Sequence, residues 1–194
     1  YSSVHTELSL ALKQLGHQVT TLSDGDAFKG FVPDIYFGVT AQSSVVKKIF
    51  RSILDFLGIK GLTLLFQKRK ILAKCQGYDV VQLINPVTLE PLGALANILF
   101  INYLSRKNKK LFLCALGDDY SWVSACLEGR YKYSPLDRIS IKTLINYRYS
   151  LRYVYGFFYR SLDKYVKKKC SAIIPGLLDY KMAHADCHKL TDLI

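Results

Sequence analysis

Cysteine pairs are missing from this sequence. Its five cysteines stand singly at positions 75, 114, 126, 170 and 187, an odd number with no CxxC spacing. That argues against a disulfide framework or a zinc ribbon and favours a reducing, cytosolic setting. Long apolar runs are missing too. The run Leu62 to Phe66 is far shorter than the roughly 18 residues a membrane-spanning helix needs and is followed closely by Lys68, Arg69 and Lys70. No secretory leader is visible. GxGxxG, Walker and GxSxG motifs do not occur, which removes the sequence signatures of dinucleotide, P-loop and α/β-hydrolase sites, and nothing points to a Ser or Cys nucleophile. His184 and His188 flank Asp186 and Cys187 at i, i+4 spacing, but without HExxH or a second ligand cluster no metal site is expected. Methionine occurs once, as Met182, and the chain opens at Tyr1; further natural sequence is expected ahead of it.

Acidic residues are also scarce, 15 against 27 Lys and Arg, giving a net charge of +12. Such a balance suits a polyanionic partner: nucleic acid, a nucleotide or phosphosugar, or an anionic membrane. The excess is local. Residues 45 to 75 carry eight basic side chains against Asp55, and residues 142 to 169 carry eight against Asp163, so each segment stands at +7 and the rest of the chain at −2.

Half of the 194 residues are hydrophobic, enough for one α/β domain with a sizeable core. Val4, Leu8, Leu10 to Leu12 and Leu15 recur at helical spacing and stop at Gly16. HQVTTLS (17–23) then reads as a strand, and Asp34 to Gly38 as a short one. Helices are expected over Ser44 to Leu57, Leu62 to Cys75, Pro91 to Leu104 and Trp122 to Leu127, with a long one over Ile141 to Lys169. YDVVQLIN (78–85), Lys110 to Leu116 and Ser171 to Ile174 read as further strands, the last followed by a turn and short helix. This alternation predicts a parallel, doubly wound, Rossmann-like sheet with helices on both faces. The right-handed crossover rule gathers the strand-end loops DGDAFKG, INPVTLE, LGDDYSW and IPGLLDY on one edge, where ligands bind.

Two features suggest sites. LFLCALGDDYSW (111–122) is an unbroken apolar run ending in two carboxylates, so Asp118 and Asp119 either line the ligand edge or cap the next helix, and the two roles are compatible. When Ile141 to Lys169 is unrolled as one helix, Tyr147, Leu151, Val154, Phe158, Leu162 and Tyr165 share a face, while Tyr149, Arg152, Tyr153, Arg160, Lys164 and Lys167 gather opposite. A basic face interleaved with tyrosine suits an anionic membrane or single-stranded nucleic acid. It can equally be a solvated face without a partner.

Several stretches resemble family 4 glycosyltransferases of the two-Rossmann-domain (GT-B) architecture. SSVHTELSLALKQLGHQVTTLS is similar to their first helix, with Glu7 central, and to the GH-x-V opening of their second strand. GYDVVQLINP, LFLCALGDDYSW and AIIPGLLDYKMAH are similar to later strands and strand ends of the same domain. The resemblance covers most of 1–194. It implies transfer of a sugar from a nucleotide-sugar co-substrate, with no cofactor, to a glycan or lipid-linked acceptor. It implies acceptor contacts at Gly117, Asp118, Asp119, Tyr120 and Asn85 and phosphate contacts at Ser2 and Ser3. It further implies membrane contact through Lys47, Lys48, Arg51, Arg148, Arg152, Arg160, Lys164 and Lys167, at the inner face of the cell membrane. Compared with the family, the first strand with its glycine-rich loop and the C-terminal donor domain are missing, and Leu116 stands where many members have His. The chain therefore resembles the acceptor-side domain alone, inactive by itself, with two alternatives: a non-catalytic nucleic-acid-binding α/β module, or a membrane-binding domain left from a degenerate transferase.

Overall fold

The structure, a computed structural model, describes residues 4–25, 32–38, 44–136 and 140–192. Every strand pair among the described residues is parallel, and helices lie between β2, β3, β4 and β5, so the mixed α/β class is as expected. After helix α1 (Val4–Gln14), β1 (Leu22–Ser23) pairs with β2 (Ile35–Tyr36). β3 (Val80–Leu83), β4 (Lys110–Ala115) and β5 (Ala172–Pro175) form a second sheet in that order. One doubly wound sheet is thus replaced, among the described residues, by two small ones. β1 pairs only with β2, and β3 only with β4.

The larger sheet carries the core. Leu113 at the centre of β4 is in register with Leu83 on one side and Ile173 on the other, and all three are buried. Helices α5 (Gly93–Lys107) and α9 (Tyr159–Lys169) pack on one another and on β4. Phe100, Ile101, Leu104, Leu162 and Val166 supply their buried faces at helical spacing. A short 3-10 turn (Glu90–Leu92) leads into α5.

The expected strand over 17–23 shrinks to two residues. Its start is held by side chains instead of a ladder: Thr21 donates to Asp34 Oδ2 from both its N–H and its hydroxyl, each at 2.8 Å. The expected helix over 62–75 divides at Lys68 into α3 (Leu62–Gln67) and α4 (Arg69–Leu72), and the Lys68 ammonium reaches Gly38 O at 2.9 Å. The long helix over 141–169 is three: α7 (Ile141–Asn146), α8 (Arg148–Tyr155) and α9. Gly156 is extended, with ψ near 150°, and Phe158 has φ of +67°, an uncommon value for a side-chain-bearing residue. A Cβ at Gly156 would come within 2.5 Å of Arg152 O, so glycine permits the tight turn. Helix α2 (Val45–Phe56) matches its expected span. Its C-terminal end locks onto this turn, where Phe157 N–H donates to Phe56 O and the two rings meet edge to face. Two further helices, α6 (Tyr120–Leu127) and α10 (Leu178–Ala183), follow β4 and β5 and contact each other.

Candidate functional site

The end of β4 is a structural weld. Asn85, buried at the end of β3, donates from its amide to Leu116 O and Asp118 O, both at 3.0 Å, and its Oδ1 accepts from Val87 N–H. Gly117 turns the chain with φ of +76°, and its N–H is taken by the Tyr180 hydroxyl at 2.9 Å. Asp119 caps α6 by accepting from Trp122 N–H at 2.7 Å, while its second oxygen meets His184 Nε2 at 3.2 Å. Both partners are buried, and His184 Nδ1 has no hydrogen-bond partner among the described residues. Asp118 accepts from the Ser150 hydroxyl of α8, and the Tyr120 ring lies beneath the Arg160 guanidinium. Gly117, Asp118, Asp119 and Asn85, the expected acceptor contacts, make hydrogen bonds within the fold that join β3, β4, α6, α8 and α10. A strand end that must turn sharply into a helix uses its carboxylate for the free N–H groups first. Ser2 and Ser3 lie outside the described residues.

The basic positions divide. Lys47, Lys48, Arg51, Arg148, Arg160 and Lys164 are exposed. Arg152 and Lys167 are not available to a surface, which corrects the single-helix expectation. Arg152 Nη2 binds Glu90 at 2.8 and 2.9 Å, and its Nη1 binds Asp55 of α2. Tyr159 donates to Asp55 at 2.7 Å, Lys60 reaches it at 3.1 Å, and Tyr153 donates to Glu90. Burial works against the Arg152 charge, yet Glu90, Tyr153, Tyr159 and Asp55 together raise its pKa. Lys167 reaches Asp163 at 3.1 Å and Ser121 Oγ at 2.7 Å. Burial nevertheless pushes the Asp163 carboxyl above its ordinary value. The break at 156–158 resets the helical phase, so residues on one face of an unrolled 141–169 do not share a face in the molecule.

An open cleft of about 240 Å³ lies elsewhere. Its walls come from α1 (Ser9, Leu10, Lys13), from β1 and its continuation through Asp24, from the lead into β2, and from Ile84 to Thr88 after β3, Asn85 included. Leu10, Leu22, Ile84 and Val87 make it apolar, and a carboxylate, an ammonium and several hydroxyls stand among them. Asp24 accepts from Glu90 N–H at 3.1 Å, and burial raises its pKa. Thr88 Oγ1 is buried with no partner among the described residues. Lys13 stands 3.9 Å from Asp34, whose carboxyl is held low by the two Thr21 hydrogen bonds. Apolar walls with a few convergent polar groups suit a small, polyhydroxylated or anionic ligand. Asp24 and Thr88 belong to DGDAFKG and INPVTLE, two of the strand-end loops expected on the ligand edge. The loops were legible; the residues within them were not, because nothing local distinguishes Asp24 from Asp26.

Other chemistries find little support. Burial raises the Cys75 and Cys114 thiols and takes Cys170 to about 12, which keeps them protonated and weakly nucleophilic at neutral pH. Among the described residues no cluster of three His, Cys, Asp or Glu side chains could hold a metal, and no helix is long and apolar enough to cross a membrane. Comparison with protein-family models, with curated proteins and with solved structures finds no match to this chain.

Proposed function

We propose that the chain is the acceptor-side domain of a GT-B-type glycosyltransferase, with sugar transferred from a nucleotide-sugar held by a second domain to a glycan or lipid-linked acceptor. The observation that carries this reading is the cleft beside Asp24. A pyranose presents hydroxyls that both donate and accept, and a carboxylate, an amide carbonyl or a hydroxyl such as Thr88 offers the matching groups on an apolar wall. Asp24 would accept from one acceptor hydroxyl, Thr88 Oγ1 would gain the partner it lacks, and Lys13 would favour a phosphate on the same ligand. No step of bond-making is assigned to these residues, which orient the acceptor. Catalysis would need the donor domain. The enzyme would work peripherally at the inner face of the cell membrane.

Saturation-transfer NMR with a panel of hexoses, alkyl glycosides and hexose phosphates tests the proposal. The expected result is binding of at least one of them, weakened about tenfold by Asp24→Asn or Thr88→Val, the scale of one lost hydrogen bond. Binding of none, or binding that both substitutions leave alone, would overturn it. A second reading rests on the half-paired strands. β1 and the continuation of β3 both line the cleft, and among the described residues each strand has one unpaired edge. A further parallel strand there, leading into α1, would make a right-handed βαβ unit with β1. Hydrogen exchange separates the two: a strand in the gap protects the edge amides of β1 and β3, whereas a sugar perturbs Asp24 and Thr88.

A further inference from the structure

Helix α2 is exposed on both its apolar and its basic side, and Asp55 is its one buried residue. At 100° per residue, Val45, Val46, Ile49, Phe50, Ile53 and Phe56 fall within an arc of roughly 140°, and Lys47, Lys48, Arg51, Ser52 and Asp55 fill the opposite side. A surface helix of a globular protein turns such an apolar stripe toward the core. Here the residue turned inward is Asp55, 6% exposed and held by Arg152, Lys60 and Tyr159. The stripe faces out: Val46 is 75% exposed, Phe50 61% and Ile49 58%. Phe157, also exposed, extends it through its edge-to-face contact with Phe56. A close backbone approach holds the end of the helix in place. Gly58, with φ of +69°, lets the chain after α2 pass so close to Phe157 that a Cβ would lie 2.2 Å from its carbonyl oxygen.

We propose that α2 docks the protein in the plane of an anionic lipid bilayer, with the Val45 to Phe56 stripe among the acyl chains and Lys47, Lys48 and Arg51 at the headgroups. Charge complementarity selects this occupant. Lys47 and Lys48 border the stripe on its two sides and Arg51 stands behind it, all three are exposed, and the helix's one acid is neutralised inside the protein, so the surface offered is apolar with a positive rim. An amphipathic helix with that composition is what binds an anionic interface, each Lys or Arg adding to the apolar term. The inference deepens the membrane-peripheral part of the proposed function and is independent of the sugar cleft. It also moves the contact from the tyrosine-rich 147–167 region to α2.

The experiment is co-sedimentation of the full chain with phosphatidylcholine vesicles, with and without phosphatidylglycerol. The variants are Ile49→Glu with Phe50→Glu, and Lys47→Gln, Lys48→Gln with Arg51→Gln. All five side chains are exposed, so the fold should survive, and far-UV circular dichroism checks it. The expected result is binding that needs phosphatidylglycerol and falls about tenfold or more in each variant. No binding of the wild type would overturn both this inference and the membrane-peripheral reading, while leaving sugar binding untouched. Full binding by the Ile49/Phe50 variant would overturn the inference alone, and if the charge variant still failed to bind, the surface would be one for polyanions such as nucleic acid. A concentration-dependent dimer abolished by Ile49→Glu with Phe50→Glu, without vesicle binding, would assign the stripe to a second copy.

Discussion

Residues 45–75 and 142–169 carry the same net charge of +7 and leave six of their eight cations exposed, and they differ in the apolar side chains beside those cations. In the first segment, Lys47, Lys48 and Arg51 stay outside beside an exposed apolar stripe, and the acid Asp55 goes in. In the second, Arg152 and Lys167 go in, each against a buried carboxylate, and Leu151, Leu162 and Val166 pack conventionally. The segments meet where Arg152 binds Asp55. A cation is available to a partner only if no carboxylate of the fold has already claimed it. Both segments supply the clamp, through Asp55 and Lys60 from the first and Arg152 from the second.

The largest expected effect comes from cutting the clamp. Arg152→Met leaves the buried Asp55 with Lys60 as its remaining ion-pair partner among the described residues and deprives the partly exposed Glu90 of its cation, and a loss of about 3 kcal/mol is expected. Urea unfolding measures it; a loss below about 1 kcal/mol would mean that the two segments are not joined through this residue. Asp55→Asn added to Arg152→Met should recover part of the loss, since one buried charge is removed.

A smaller effect, read as a slope, sits at the other buried pair. Folding raises the Asp163 pKa above its ordinary 3.8, because burial outweighs the help of Lys167 and His184. The folded state then holds the proton more tightly than the unfolded chain, so this group's contribution is full below pH 3.8 and is lost as pH rises through the raised folded value. Asp163→Asn stays uncharged throughout. The stability difference, wild type minus variant, is therefore expected to fall as pH rises from 3.5 to neutrality. A difference that rises with pH would show that Lys167 more than offsets the burial. The smallest effect is expected at the exposed remainder of this segment. Arg160→Gln with Lys164→Gln should leave the unfolding midpoint within error and reduce vesicle binding less than the paired α2 substitutions do. An equal or greater reduction would restore 142–169 as a contact surface.

Much of the architecture was legible before any coordinates. The apolar run of β4 has no polar alternation, which suits a sheet covered on both faces by helices. The helices α2 and α5 were marked by 3.6-residue periodicity. Asp119 as an N-cap was readable from its place between an apolar run and the Tyr120 helix. What resisted reading were breaks and pairings. Gly156 alone does not announce a stop in a pattern whose apolar spacing continues through it, because periodicity is silent about backbone dihedral angles at one turn. Asp118 and Asn85 are polar residues at strand ends, which is equally the sign of a ligand contact and of a weld between neighbouring loops. Their partners, Ser150 and the carbonyls of Leu116 and Asp118, are up to 33 residues away.

By itself, the sequence determined the class, the parallel strands, the amphipathic nature of α2 and the clustering of basic charge, because each follows from local composition and from periods of two or 3.6 residues. Only the tertiary structure decided which way α2 faces, which cations remain free and where a cleft opens. Those depend on contacts across 97 residues for Arg152 and Asp55 and 66 for Glu90 and Asp24. Such contacts are set by the free energy of burying or pairing a charge in one particular place, which no local pattern encodes.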